Sequence, residues 1–159
     1  AILREDGPAL LALSRQNLPH QTRDADALQT ISRGGYVLAD APKPALVVIA
    51  TGSEVALATG LRDELAKDGI GVRVVSMPCT SVFDRQPADY RSAVLPPGVP
   101  RLVIEAAQPD SWWRYLAGVE GAVIGIQRFG ESAPAGDLLQ RFGFTAAAVA
   151  EIARDLLRR

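Results

Sequence analysis

The sequence predicts an α/β protein built on a five-stranded, mostly parallel β-sheet whose first strand is antiparallel. Three observations lead to this fold class. The chain has 159 residues, of which 48% are hydrophobic, and this suits an ordinary globular core. Five apolar runs of strand length, most of them rich in β-branched residues, follow the first thirty residues. The segment between the second and third runs has helical periodicity, and a strand–helix–strand order requires a parallel crossover.

The predicted strands are GYVLA (35–39), ALVVIA (45–50), VRVVS (72–76), RLVIEA (101–106) and AVIGI (122–126). The last four are expected to run parallel to one another. The first is joined to the second by DAPKPA, which is too short for a helical crossover and contains two prolines. This strand is therefore predicted to be antiparallel and to lie at an edge of the sheet.

Two helices are predicted to cover the sheet. The first spans residues 53–67 and ends at Gly69. The second spans residues 145–159, with Thr145 as its N-cap and two arginines at its end. Their buried stripes are expected to be Val55, Ala58, Leu61 and Leu65 in the first helix, and Val149, Ile152, Ala153 and Leu156 in the second.

Two shorter helices are expected in the second half of the chain. One begins at Asp110 or Ser111 as N-cap and carries the adjacent Trp112 and Trp113. The tryptophans are equally consistent with a core anchor and with a partner surface. The other lies within FGESAPAGDLLQRFGFT, with Ser132 as a candidate cap and proline in its first turn.

The first thirty residues do not continue the strand and helix pattern. PALLALSR (8–15) is predicted to form one more apolar strand, and QNLPHQTRDADALQT after it is polar and lacks a core-facing stripe. The pattern indicates the end of one domain, a linker, and a second domain that begins at about residue 31.

Composition argues against several classes of partner. Seventeen Lys and Arg against eighteen Asp and Glu leave a formal charge of −1, so neither nucleic acid nor a membrane surface is expected as a partner. The apolar runs are far shorter than the ~20 residues of a membrane span. A single cysteine excludes an internal disulfide and a multi-cysteine metal site. The opening residues resemble no signal peptide, so a cytoplasmic location is expected.

The sequence ATGSE (50–54) joins a predicted strand to a helix, which is where anions bind in many α/β proteins. It lacks the further glycines of a dinucleotide fingerprint and the lysine of a P-loop. The favoured interpretation is structural. Thr51 and Glu54 are expected to form a capping box, or Ser53 to cap alone, while Gly52 allows the turn.

Four further residues are candidates for function. Cys79 is expected to be a packing thiol and His20 an exposed bystander, because the chain offers no nearby partner for either. Glu105 ends the fourth strand as a candidate buried acid with no recognisable partner. Arg15 ends the first apolar run, and its planar guanidinium suits phosphate. On residue chemistry alone, a surface salt bridge is the favoured role for Arg15.

The chain resembles the C-terminal part of transketolases over nearly its whole length. The motifs that carry the resemblance, in order, are LSRQNLP, GGYVL, IATGSEV, VRVVSMPCTSVFD, YRSAVLP, VIEA and FGESAPAGDLLQRFGFT. The combination of SRQN, ATGSEV and FGESAP is specific. The resemblance implies a three-layer α/β/α domain at residues 31–159, a linker at 18–30, and the end of a preceding pyrimidine-binding domain at 1–17.

The resemblance also implies a parent enzyme. Transketolases move a two-carbon ketol unit between ketose and aldose phosphates of the pentose phosphate pathway. They are homodimers that use thiamine diphosphate with magnesium or calcium. The family's Gly-Asp-Gly motif with paired asparagines is absent, since Asn17 is the chain's only asparagine. The resemblance therefore places cofactor, metal and catalytic residues outside this chain, and it implies that Arg15 of the SRQ motif binds the substrate phosphate.

Three alternatives remain open at this point. The chain is expected to be a structural, dimerising fragment that is inactive alone. A stand-alone module that binds a small anion at Thr51–Glu54 is the first rival. A domain that serves dimerisation alone through the tryptophan helix is the second. The matching domain of another thiamine diphosphate enzyme is the third.

Overall fold

A mixed five-stranded sheet forms the centre of the molecule. The structure is a computed structural model that describes residues 5, 7–14 and 16–159. The strands are β1 (Tyr36–Ala39), β2 (Leu46–Ala50), β3 (Val72–Ser76), β4 (Arg101–Ile104) and β5 (Gly121–Ile124). Their spatial order is β1-β3-β2-β4-β5. All five predicted strands are thus present, with bounds that differ by at most two residues.

Strand directions agree with the sequence-based prediction. β2 pairs in parallel with β3 and with β4, and β4 pairs in parallel with β5. β1 pairs with β3 antiparallel and lies at the edge, with an irregularity between Val37 and Ala39. The antiparallel first strand is therefore confirmed.

Six α-helices surround the sheet in the described part of the chain. They are α1 (Ala25–Thr30), α2 (Val55–Ala66), α3 (Thr80–Phe83), α4 (Ala88–Val94), α5 (Ala135–Arg141) and α6 (Ala146–Leu157). Three 3-10 helices occupy residues 31–33, 52–54 and 110–116.

The sheet has a hydrophobic core on each face. On one face, Leu46 and Val48 pack with the apolar sides of α2 and α6. On the other, Val47 and Ile49 pack with Phe83 of α3 and with residues of α4 and the 110–116 helix. Every residue of β2 is fully buried because both faces are covered. This arrangement is the three-layer α/β/α architecture that was predicted.

The start of α2 differs from the predicted capping box. Thr51 lies at the cap position of the 52–54 helix but makes no side-chain cap hydrogen bond. Ser53 donates instead to the Glu54 carboxylate at 2.6 Å, because the 3-10 turn brings these adjacent side chains together. Neither predicted cap therefore forms. Gly52 has a φ of +53°, as the turn requires, and Gly69 ends the helix with a φ of +74°.

The final helix α6 follows the prediction at its start and differs on one face. The Thr145 side chain accepts from the Ala148 N–H at 3.3 Å, so the predicted N-cap is confirmed. Ile152, predicted to be buried, is 37% exposed, and Ala150 is buried instead. Helical periodicity fixes the width of an apolar stripe, whereas contact with α2 and the sheet decides how the helix is rotated.

The N-terminal segment departs furthest from its prediction. Residues 7–14 form no strand, and Leu10 is 94% exposed. A strand needs a neighbour for its backbone hydrogen bonds, and the described residues place none beside it. The segment predicted as a linker contains α1, whose first turn is capped by the Asp24 carboxylate accepting from Ala27 N–H at 2.8 Å.

Both shorter predicted helices are present with different starts. The tryptophan helix is a 3-10 helix that begins after Pro109, so neither Asp110 nor Ser111 caps it. α5 begins after Pro134, so Ser132 is not its cap. Proline fixes the backbone angle that both starts need, which makes a polar cap dispensable.

Candidate functional site

The carboxyl ends of β2 and β4 form the first candidate site. In the sheet, β3 lies on one side of β2 and β4 lies on the other. The chain therefore continues from β2 to one side and later returns to the other, so the order in which strands are added reverses between β2 and β4. Ligands of open α/β sheets bind outside the strand ends at such a reversal. The ATGSE turn follows β2 there, and Glu105 follows β4.

Two carboxyl groups lie near enough at this reversal for the charge of one to act on the other. Glu54 is only 7% exposed and accepts the Ser53 hydroxyl. Burial, together with the nearby charge of Glu54, raises the pKa of Glu105 to about 7. Glu105 is thus a partly buried acid, as predicted, and its neighbour is Glu54. Sequence reasoning missed this pairing, although the reversal of strand order places both glutamates at neighbouring strand ends.

A cleft of about 380 Å³ lies beside this edge. Residues 18–21 and Arg23 form one wall, and the Gly52–Ser53 turn and Ser76 also line the cleft. Arg23 holds that wall in place because its Nε donates to the Tyr36 hydroxyl at 2.7 Å and its Nη1 to the Gln21 carbonyl at 2.7 Å. His20 lines the cleft and is exposed, as expected.

The geometry of the edge favours the structural interpretation of ATGSE. A Cβ added to Gly52 would meet no atom of the described chain within 4 Å, so within the fold the glycine is needed for its positive φ and not for close packing. Arg23, the guanidinium of the cleft, already uses two donors to hold the wall. Both observations agree with a turn that starts α2.

Cys79 is not the packing thiol that was predicted. Its side chain is exposed at the N-cap position of α3, because the strand-to-helix turn points it outward. A hydrogen bond with Ser81 lowers the pKa of the thiol, with a smaller contribution from the charge of Arg85. Its backbone N–H donates to the Gly34 carbonyl at 2.9 Å, which ties α3 to the start of β1.

The two tryptophans divide the roles that were proposed for them. Trp112 is 5% exposed, and its ring lies 5.7 Å from that of Tyr115. Trp113 is 49% exposed. One tryptophan thus anchors the core and the other presents an aromatic surface to solvent.

Neither a group of three metal-ligating side chains nor a helix able to span a membrane occurs in the part of the chain that the structure describes. Within it, no three His, Cys, Asp or Glu side chains are grouped so that they can hold a metal ion. None of its helices combines the length and the apolar character that a membrane crossing needs. Arg15, the predicted phosphate-binding residue, lies outside the described residues.

Comparison with known proteins identifies relatives for most of the chain. Residues 34–145 match the family model described as the transketolase-like TK C-terminal domain. Transketolase 2 of Vibrio parahaemolyticus is 51% identical over 159 residues, which are 99% of this chain and 24% of that protein. The chain therefore spans about a quarter of the length of the curated relatives it matches.

Solved structures give the same result at the level of the fold. A transketolase from Leishmania mexicana superposes with a TM-score of 0.82 at 41% identity, covering 91% of this chain and 21% of that chain. A transketolase from Pichia stipitis in complex with sedoheptulose-7-phosphate gives a TM-score of 0.81 at 37% identity, covering 91% and 20%.

Proposed function

This chain belongs to the family of transketolase-like C-terminal domains, and from that premise we propose that it forms the C-terminal part of a transketolase. The observation that carries the proposal is 51% identity to a transketolase over 99% of the chain. The complete enzyme transfers a two-carbon ketol unit from a ketose phosphate to an aldose phosphate in the pentose phosphate pathway. It works in the cytoplasm as a homodimer.

The cofactor of the complete enzyme is thiamine diphosphate with magnesium or calcium. Among the described residues of this chain, no three His, Cys, Asp or Glu side chains are grouped so that they can hold the divalent ion. The chain covers 24% of the transketolase it matches, and in this proposal the cofactor and the catalytic residues belong to the remaining parts of the enzyme. This chain contributes structure and dimer contacts, and we expect it to be inactive alone.

The chain divides into three segments in this proposal. Residues 1–17 end the preceding pyrimidine-binding domain, residues 18–30 link the two domains, and residues 31–159 form the C-terminal domain. The exposed leucines of the first segment support the division, since Leu10, Leu11 and Leu13 are 65–94% exposed. Such a leucine run gains stability only when another part of the protein covers it.

Arg15 is the residue of this chain that we assign to substrate binding. Its place in the SRQ motif and its planar guanidinium support a contact with the phosphate of the sugar substrate. Dimer contacts are supported by the exposed aromatic side chains of Trp113 and Phe129, which are 49% and 97% exposed.

Kinetics of the complete protein test the proposal. Ketol transfer from xylulose 5-phosphate to ribose 5-phosphate is measured with thiamine diphosphate and magnesium, for the native protein and for Arg15→Gln. Loss of a charged hydrogen bond to phosphate is expected to lower kcat/KM by roughly 10- to 100-fold, mainly through KM. Arg62→Gln, which removes an exposed arginine of α2, is the matched control. Absence of ketol transfer in the native protein would contradict the assignment as part of a transketolase. An unchanged KM in Arg15→Gln would contradict the assignment of Arg15 to substrate binding.

A further inference from the structure

A second cleft lies on the face of the sheet that α3, α4 and the 110–116 helix cover. It has a volume of about 400 Å³ and opens beside Arg101, the first residue of β4. None of its lining residues belongs to the Glu54–Glu105 site, since Arg101 begins β4 and Glu105 follows the end of that strand. Its charged and polar lining consists of Asp84, Arg91, Ser92, Arg101, Arg114 and Tyr115.

Arg101 is a buried cation without a counter-charge among its partners. The residue is 9% exposed, and its guanidinium donates to the backbone carbonyls of Leu95, Pro96 and Tyr115. Its Nε is buried and has no hydrogen-bond partner among the described residues. Burial lowers the pKa of Arg101, which reflects the cost of a charge that carbonyl dipoles offset only in part.

The other charges of the cleft leave it positive. Asp84 is the acidic side chain of the lining, and it is already engaged by the Tyr115 hydroxyl at 2.8 Å and by Arg114 at 3.1 Å. Arg91 is exposed at the rim and has no ion pair within the described residues. Three guanidinium groups and one carboxylate thus line this cleft, in which Arg101 contributes charge while Arg91 and Arg114 offer donors at the rim.

We propose that this cleft binds the phosphate group of a small phosphorylated metabolite. Guanidinium groups match phosphate in both charge and hydrogen-bond geometry, and Ser92 adds a hydroxyl at the rim. The volume lies within the range of small-molecule sites. Phe83, Leu95 and the ring of Tyr115 line the same cleft and offer apolar contacts for a carbon skeleton. The assignment is independent of the transferase function.

The test is a titration of the 159-residue chain, in which binding is measured by calorimetry and by the shifts of amide NMR signals. The probes are inorganic phosphate and ribose 5-phosphate, at an ionic strength held constant with potassium chloride. Saturable binding is expected, with shifts concentrated at residues 84–95 and 112–116. Tighter binding of ribose 5-phosphate would identify a phosphate ester as the ligand, and equal or tighter binding of inorganic phosphate would identify the free anion.

Variants at the rim connect the binding to the three arginines. Arg91→Gln and Arg114→Gln change exposed side chains and leave the buried Arg101 in place. Each is expected to weaken binding about tenfold, and the double variant more strongly. Arg62→Gln lies on α2, on the other face of the sheet, and is expected to change nothing. Lack of saturable binding by both probes, or unchanged affinity in the double variant, overturns the proposal.

Discussion

Replacing Glu105 by glutamine is expected to change how the stability of this protein depends on pH. Glu105 follows β4 beside the nearly buried Glu54, and both burial and that neighbouring charge disfavour its ionised form. The pKa of Glu105 is therefore raised from 4.5 to about 7 in the folded protein. Glutamine has a similar shape and never ionises, so it isolates the effect of the charge.

The direction of the effect follows from proton linkage. Between about pH 4.5 and pH 7, the folded protein holds a proton on Glu105 that the unfolded chain has released. The stability contributed by this proton is complete below pH 4.5 and is lost as the pH rises toward about 7. The full pKa difference corresponds to about 3 kcal/mol. Because Glu105 is only partly buried, solvent screening reduces the expected effect to roughly 1–2 kcal/mol.

Urea unfolding at about pH 5 and about pH 8 measures this effect. Glu105→Gln is expected to match the native protein near pH 5 and to exceed its free energy of unfolding by roughly 1–2 kcal/mol near pH 8. Glu151→Gln on the exposed side of α6 serves as the control and is expected to show no such dependence. An equal difference between Glu105→Gln and the native protein at both pH values would refute the account of the Glu54–Glu105 site.

Three further outcomes are expected. Gly34→Ala should lower the free energy of unfolding, measured by urea unfolding, by about 3 kcal/mol or more. Gly34 has a φ of +84°, and a Cβ at this position would collide with the Cys79 carbonyl. A loss below about 1 kcal/mol would contradict this packing. Thr145→Ala should cost about 1 kcal/mol in the same assay through the lost N-cap, and Thr145→Ser should restore it. The double variant Leu10→Ser with Leu13→Ser should change the free energy of unfolding of the 159-residue chain by less than about 0.5 kcal/mol, because both side chains are exposed in it. In the complete protein the same variant should lower the melting temperature. An unchanged melting temperature of the complete protein would argue against burial of these leucines.

The sheet could be predicted from the sequence because its strands are encoded locally. The runs ALVVIA and VRVVS are rich in apolar, β-branched residues, and they form β2 and β3, whose residues are mostly buried because both faces of the sheet are covered. The short connection between the first two runs, with its two prolines, was enough to predict the antiparallel edge strand. The Thr145 cap was equally visible, because a threonine at that position needs only the adjacent backbone N–H groups.

The remaining features depend on contacts between distant segments. The apolar run at residues 8–14 has the composition of a strand, yet strand formation needs a partner that the described residues do not supply. Cys79 was predicted to pack because the sequence offers no nearby partner for a reactive thiol, but the turn into α3 exposes its side chain. The charge of Arg101 has no sequence signature, because its partners are backbone carbonyls of other segments.

The assignment as the C-terminal part of a transketolase is tested most directly by comparing two proteins in one ketol-transfer assay. The complete protein and the 159-residue chain are each supplied with thiamine diphosphate, magnesium, xylulose 5-phosphate and ribose 5-phosphate. We expect turnover by the complete protein and none by the chain alone. Turnover by the isolated chain, or failure of the complete protein to transfer the ketol unit, would contradict the account.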